Sequence, residues 1–275
     1  MKPVNFDYAR PKDLEASLSL LAGAGISAKV VAGSQSLGPM LNMRLVQPDL
    51  LVDITGVEEL RQVKEEADGV VIGACVTHSD IEDGRATDVT RGALPSVAHG
   101  IAYRAVRNRG TIGGSLTHAD PSADWISILA ALGASVRLRG PDGERTIPVE
   151  DYMLGALEAN LRPSELLVSV RVPRLGRSAR WGYYKICRKT GEFAHAIGAF
   201  VVDPERGVCR AVIGATESRP IVVPDARPII ADGVPERFDG RAADDAAIAA
   251  GMNDPLDRQT HVVALRRSVE RAAGR

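Results

Sequence analysis

Two glycine-bearing tracts of small residues constrain the fold of this chain more than any other feature. The first tract covers residues 30–37 (VVAGSQSL) and the second covers residues 109–115 (RGTIGGS). Small residues leave backbone N–H groups accessible, so a phosphate group can approach such a tract closely. Together the two tracts predict one diphosphate that is held from both sides.

Each tract also has a simpler interpretation. Residues 32–37 are consistent with an ordinary tight turn in which Gly33 relieves strain, and residues 111–115 with a turn that ends a strand. If the first tract binds phosphate, its N–H groups and serine hydroxyls form a neutral cradle, to which a helix start at Leu37 adds its dipole. The tract contains no lysine, which excludes a P-loop.

A third glycine motif, residues 23–28 (GAGISA), matches the spacing of a dinucleotide fingerprint. That fingerprint follows a strand and opens a helix. Here the motif ends a predicted helix and precedes a strand, so we do not assign it a function.

The bulk properties exclude several classes of function. The chain has 275 residues, enough for one large domain or two smaller ones, and its formal net charge is −1. Without a long basic run, nucleic acid is not an expected partner. No stretch approaches the ~20 apolar residues of a membrane span, and the first ten residues lack a signal-peptide core. We therefore expect a soluble cytoplasmic protein.

The potential metal ligands are scattered. Cys75, Cys187 and Cys209 match neither a paired metal-ligand spacing nor an iron–sulfur set, and the histidines form no HExxH pair. A redox function would therefore need an organic cofactor, and no bound metal is expected.

The periodicity of apolar residues predicts the order of the elements. We expect helices over residues 11–25 (ending at Gly23 and Gly25), 37–45, 94–106, 123–132, 242–252 and 258–273, and a helix that starts with a capping box at residues 77–80. We expect strands over residues 29–32, 50–54, 166–172, 182–187, 196–202 and 208–213, and hairpins pairing 60–64 with 70–74 and 134–139 with 145–149.

Residues 173–178 (PRLGRS) are the best linker candidate, because they are polar and contain both proline and glycine. We therefore expect a first domain over residues 1–175, with lobes of about 1–55 and about 56–175, and a second domain over residues 176–275. The second domain is predicted to contain a three-stranded antiparallel sheet and helices. This organisation indicates the α+β class.

Acidic residues follow the second tract in residues 116–124 (LTHADPSAD). A carboxylate placed there, such as Asp124, can accept hydrogen bonds from ribose hydroxyls. A metal site formed by His118, Asp120 and Asp124 is the alternative. It lacks an evident fourth ligand, and Asp120 is equally explained as a turn or cap residue.

This spaced combination of motifs resembles the flavoprotein (medium) subunit of the molybdenum hydroxylases. Residues 32–39 (AGSQSLGP) are similar to that family's AGGQSLxP pattern, and residues 107–124 follow its RNRGTIGGSLxHADPxxD pattern. The resemblance extends to residues 6–8 (FDY), 51–54 (LVDI), 165–167 (ELL) and 185–194 (KICRKTGEFA), and so covers nearly the whole chain.

The resemblance implies a two-lobed FAD-binding domain of the vanillyl-alcohol-oxidase (PCMH) type, followed by a smaller α+β domain. It places the FAD diphosphate between the two tracts, Asp124 at ribityl or ribose hydroxyls, and Lys185 near the N1–O2 edge of the flavin. The implied cofactor-binding residues are Val31, Ala32, Gly33, Ser34, Gln35, Ser36, Leu37, Ala102, Gly110, Thr111, Ile112, Gly113, Gly114, Ser115, Asp124, Leu167, Lys185 and Phe193. For Phe193, which would lie beside the isoalloxazine ring, the alternative is a core position in the C-terminal sheet.

Two residues depart from the family pattern. Ser34 replaces a glycine, and if this position needs a positive φ, serine costs about 1 kcal/mol because its Cβ crowds the backbone. Glu192 replaces an aspartate and lengthens the side chain before Phe193.

The resemblance also implies a function and partners. A large molybdopterin-binding subunit would hydroxylate the substrate, [2Fe-2S] clusters on a small subunit would carry the electrons, and FAD on this chain would pass them to an external acceptor, in a dimer of heterotrimers. The absence of a cluster-spaced cysteine set agrees with such a divided enzyme. Two alternatives stay open: an autonomous flavin oxidoreductase of the same fold, and a non-redox module that binds a nucleotide.

Overall fold

A small parallel sheet forms the first unit of the computed structural model, which describes residues 2–23, 27–230 and 237–274. Its strands are β1 (Asp7–Ala9), β2 (Ala28–Val31) and β3 (Leu50–Asp53), and its helices are α1 (Leu14–Leu21) and α2 (Leu37–Asn42). Strand β3 lies between the other two and is buried along its whole length. The predicted β/α unit is therefore present, with shorter helices than expected. The predicted helix end at Gly25 lies outside the described residues.

A five-stranded antiparallel sheet forms the second unit, in the order β4-β5-β10-β6-β7. Its strands are β4 (Val63–Glu66), β5 (Gly69–Gly73), β6 (Ser135–Gly140), β7 (Gly143–Pro148) and β10 (Leu166–Pro173), and a separate small hairpin contains β8 (Met153–Gly155) and β9 (Glu158–Ala159). Both predicted hairpins are confirmed. The small hairpin is not predicted, because strands of two or three residues show no period.

Five helices complete the second unit. They are α3 (His78–Glu82), α4 (Ala93–His99), α5 (Arg104–Arg107), α6 (Ile112–His118) and α7 (Asp124–Leu132). The predicted capping box at the start of α3 is present: the side chains of Thr77 and Asp80 each accept from the other residue's backbone N–H. Every residue of α7 is buried.

Two expectations for these helices are wrong. The single helix over residues 94–106 is broken into α4 and α5 by a turn at residues 100–103, where Ala102 has a φ of 43°. Arg107 holds that turn, because its Nη1 donates to the carbonyls of Ile101 and Ala102 at 2.9 Å. In addition, residues 112–115 are not a free turn. They form the first turn of α6, with Thr111 as the N-cap.

The last unit is a four-stranded antiparallel sheet covered by helices. Its strands are β11 (Arg180–Ile186), β12 (Ala196–Asp203), β13 (Val208–Gly214) and β14 (Ile221–Val223), and its helices are α8 (Gly240–Ala249) and α9 (Pro255–Ala272). The sequence predicts only three of these strands. The fourth, β14, has 3 residues, too few to show a period, so the expectation of a three-stranded sheet is wrong. Helix α9 packs against β11 and β12.

Buried side chains connect the three units. One cluster contains Val170 of the second sheet, Trp125 of α7 and Ile197 of the third sheet. Another joins Val52 of the first sheet to Val168 of β10. The faces between the units are therefore packed, and this packing positions the site. None of the helices within the described residues combines the length and apolar character needed to cross a bilayer.

Candidate functional site

A cavity of about 940 Å³ opens where the three units meet. The first unit contributes the tract at residues 32–37, and the second contributes residues 101–103, the tract around residues 110–115, and residues 120 and 122–124. The third unit contributes Arg188, Gly191, Glu192, Phe193 and His195. The volume lies at the upper end of the range found for small-molecule and cofactor sites, roughly 300–1,000 Å³.

The two tracts touch each other through their backbones. A Cβ added to Gly33 would lie 2.0 Å from the carbonyl oxygen of Arg109 and 2.7 Å from the Cα of Gly110. No real Cβ fits at such distances. Glycine at position 33 is therefore needed for the contact between the tracts, in addition to any role in the approach of a phosphate.

The first tract presents free backbone donors. Among the described residues, none accepts a hydrogen bond from the backbone N–H groups of residues 33–37, and the side chain of Gln35 stiffens the turn by donating to the carbonyl of Gly33 at 2.9 Å. Ser34 has a φ of 58°, in the left-handed region where a Cβ crowds the backbone, so serine is strained at this position. A run of unpaired N–H groups in a concave surface is suited to binding an anion.

The second tract has few free donors. The N–H of Ile112 donates to Val76 at 3.1 Å, and that of Gly113 donates to Ala74 at 3.0 Å. The N–H of Gly114 donates to the Thr111 side chain at 3.1 Å. The first tract is therefore the main source of unpaired N–H groups, while the second supplies close packing.

A loop of the third unit closes one side of the cavity. Gly191 has a φ of 89°, and a Cβ there would lie 2.7 Å from the carbonyl oxygen of Ala102. Phe193 follows and is 70% exposed, so its alternative position in the core of the C-terminal sheet is wrong. Within the same loop, a carboxylate oxygen of Glu192 lies 3.4 Å from Nε of Arg188. The loop thus presents an aromatic side chain at the mouth of the cavity.

A buried ion pair lies under the cavity. The Nζ of Lys185 is 2.9 Å from one Asp124 carboxylate oxygen, and the hydroxyl of Tyr183 donates to the same carboxylate at 2.7 Å. Lys185 also donates to the carbonyl of Gly100 at 3.0 Å. Burial raises the pKa of Asp124, although Lys185 and Tyr183 act in the opposite direction, and burial raises the pKa of Tyr183 well above its ordinary value. Asp124 reaches the cavity with a carboxylate that already accepts two side-chain donors.

His78 is a cavity residue that the sequence analysis missed. The residue is 5% exposed and lines the cavity, and its Nδ1 lies 3.0 Å from the indole nitrogen of Trp125. Burial, together with the nearby Arg107, lowers its pKa to about 4. The capping box that contains His78 predicts only a helix start. The signal in the sequence is a histidine directly after that cap.

Most of the predicted site residues surround the cavity. The exceptions are Val31, which lies in β2, Ile112, which is fully buried in the core, and Lys185, which lies behind Asp124. His118 and Asp120 also line the cavity, yet the described residues contain no group of three potential metal ligands. Residues 157, 161, 165 and 166 also line the cavity. They are not among the predicted cofactor-binding residues, although their neighbour Leu167 is.

Comparisons with known proteins place the chain in a family. A family profile described as "FAD binding domain in molybdopterin dehydrogenase" matches residues 4–175. The carbon monoxide dehydrogenase medium chain of Hydrogenophaga pseudoflava is 39% identical over 202 residues, covering 74% of this chain and 70% of that protein. The 6-hydroxypseudooxynicotine dehydrogenase complex subunit alpha of Paenarthrobacter nicotinovorans is 36% identical, covering 90% and 85%. A solved carbon monoxide dehydrogenase from H. pseudoflava contains a chain with a TM-score of 0.89 and 32% identity, covering 100% of this chain and 99% of that one.

Proposed function

The chain belongs to the FAD-binding medium-subunit family of the molybdopterin dehydrogenases, and from that premise we propose that it receives electrons from [2Fe-2S] clusters of a partner subunit and passes them through FAD to an external acceptor. FAD is the cofactor of this family. The relatives are medium chains or subunits of dehydrogenase complexes. The proposed partners are a large molybdopterin-binding subunit and a small [2Fe-2S] subunit, in a dimer of heterotrimers.

The observation that carries the proposal is the run of unpaired N–H groups at residues 33–37 beside a cavity of about 940 Å³. The run suits a diphosphate, and the size of the cavity suits a ligand with two ring systems. The exposed Phe193 at the mouth suits an aromatic ring. The residues present therefore fit FAD, which when bound accepts electrons and passes them on.

The chain's own residues would bind and orient this cofactor. The first tract would hold the diphosphate, Gly33 keeps that tract against residues 109–110, and the loop with Phe193 would cover one ring. Lys185 holds a positive charge under the cavity, kept in place by Asp124 and Gly100. The proposed cofactor-binding residues remain those derived from the resemblance, with Lys185 acting from behind Asp124.

We also propose the finer fold assignment. The two-lobed FAD-binding arrangement would be of the vanillyl-alcohol-oxidase type over residues 1–175, with the C-terminal α+β domain over residues 176–275. The end of the family match at residue 175 supports this boundary.

The test uses the complex isolated with its neighbouring subunits. Acid release and chromatography of the chromophore should give FAD at near one per copy of this chain. Anaerobic addition of substrate should bleach the cluster absorbance first and the flavin absorbance second. A complex assembled without this chain should still reduce its clusters but should not reduce the acceptor. A chain that takes up no FAD, alone or with partners, would overturn the proposal, and turnover of substrate by the isolated chain would favour an autonomous oxidoreductase.

A further inference from the structure

His78 is a buried polar side chain that the proposed function leaves without a task. It lies in the first turn of α3, where its backbone N–H donates to the carbonyl of Gly110 at 2.9 Å. Its ring packs beside that of Trp125, which is fully buried in α7. Two rigid elements therefore fix the ring from both sides.

The contact with Trp125 decides where the imidazole carries its proton. An indole N–H only donates, so Nδ1 of His78, 3.0 Å away, must accept. Burial lowers the pKa of His78 to about 4, so the ring is neutral near pH 7. A neutral ring whose Nδ1 accepts carries its hydrogen on Nε2. Trp125 thus acts as a positioning residue that selects one tautomer.

The Nε2–H group lies beside Gly110 of the second tract and has no acceptor among the described residues. A Cβ added to Gly110 would lie 2.7 Å from Nε2, the shortest distance found for that position. The ring also lines the cavity. The edge of the imidazole ring therefore packs against Gly110, and a larger residue at position 110 would collide with it. Nε2 is not sealed off from the cavity, so a ligand oxygen there can accept its hydrogen.

We propose that His78 is a cofactor-binding residue that donates its Nε2–H to an oxygen of the bound FAD at the second tract, an inference that rests on the proposed function. His78 supplies a neutral donor on the side of the cavity where the N–H groups of Ile112 and Gly113 are already occupied. The first tract offers backbone donors, and His78 adds one side-chain donor at the cavity wall.

The first experiment needs no variant. Long-range ¹H–¹⁵N spectra of the full chain freed of FAD should show His78 in the Nε2–H form, and addition of FAD should move its Nε2–H signal downfield. A protonated Nδ1, or an Nε2–H signal that stays unchanged when FAD binds, would overturn the proposal.

The second experiment compares variants by calorimetric titration of the FAD-free chain with FAD. We expect His78→Leu to bind FAD about tenfold more weakly, as the loss of one hydrogen bond implies. His78→Gln keeps a side-chain N–H and should recover most of that affinity. The control is His99→Leu, since His99 is an exposed residue paired with Glu82. It should bind like the unaltered chain.

The outcomes separate the two proposals. If the unaltered chain binds FAD and His78→Leu binds it equally well, the role of His78 is wrong while the proposed function stands. If the unaltered chain binds no FAD, the proposed function fails, and the role of His78 fails with it. A His78→Leu variant that does not fold leaves the decision to the spectra of the unaltered chain.

Discussion

Gly33 packs directly against the carbonyl group of Arg109, and this contact sets the separation between the two glycine tracts. A Cβ on Gly33 would lie only 2.0 Å from that oxygen. The tracts belong to the first and second units, which therefore approach each other at the site through their backbones. The position of the free N–H groups in residues 33–37 therefore depends on the absence of a side chain at position 33.

Gly33→Ala should damage both stability and FAD binding. The added methyl group must push the tracts apart, and overpacking of this kind costs about 1–3 kcal/mol. Urea denaturation without FAD measures the first effect, and titration with FAD measures the second. Gly38→Ala is the matched control, because its Cβ would meet only the Ser34 side-chain oxygen at 3.2 Å. Equal behaviour of the two variants would contradict the packing argument.

Ser34→Gly should stabilise the chain. Ser34 has a φ of 58°, where a Cβ is unfavourable and glycine is not. The expected gain is up to about 1 kcal/mol in the free energy of unfolding, with FAD affinity equal to or higher than that of the unaltered chain. Thermal unfolding with and without FAD measures both effects. Ser34→Ala keeps the strain and serves as the control. A lower melting temperature for the glycine variant than for the alanine variant would count against strain at this position.

Local sequence signals predicted much of the fold. The turns at Asp68-Gly69 and Asp142-Gly143 specify the two hairpins through residues adjacent in the chain. The break between α4 and α5 could not be predicted in this way. It depends on Arg107, whose Nε donates to a carboxylate oxygen of Glu82 at 2.7 Å. The two residues are 25 positions apart in the sequence.

The site shows the same division between local and distant signals. The tracts and Asp124 could be predicted from contiguous motifs. The roles of His78 and Tyr183 could not, since His78 meets Trp125 across 47 residues and Tyr183 meets Asp124 across 59. The sequence thus predicts the tracts and Asp124, which line the cavity, but not the contacts of His78 and Tyr183, which depend on residues distant in the chain.

Lys185→Met should destabilise the chain by about 3–5 kcal/mol, because it leaves the Asp124 carboxylate buried without its cation. Burial already raises the pKa of Asp124, and loss of Lys185 removes the main opposing cause. A buried carboxyl with a raised folded-state pKa costs stability once it ionises. The loss of unfolding free energy in the variant, relative to the unaltered chain, should therefore grow as pH rises through that pKa.

Urea denaturation near pH 4 and near pH 8 measures this deficit. The double variant Asp124→Asn/Lys185→Met should recover part of the lost stability, since no charge remains buried. Lys29→Met, at an exposed position, is the control. A deficit that is the same at both pH values, or a double variant less stable than Lys185→Met, would mean that the buried charge is not the cause.

His78 should make the fold sensitive to acid in a defined range. Its folded-state pKa is about 4, below the ordinary value of 6.5, because burial and Arg107 disfavour the charged ring. Above pH 6.5 its full contribution to stability is present. As pH falls from about 6.5 to about 4, the unfolded chain binds a proton that the folded chain does not, and about 3 kcal/mol of stability is lost.

The variant His78→Gln tests this expectation, because glutamine does not titrate in this range. The difference in unfolding free energy between the variant and the unaltered chain should shift in favour of the variant by up to that amount between about pH 7 and about pH 4. Other titrating groups cancel in that difference where they lie far from position 78. A difference that stays constant across this range would show that His78 gains its proton at the same pH in the folded chain as in the unfolded chain, and would contradict the lowered pKa.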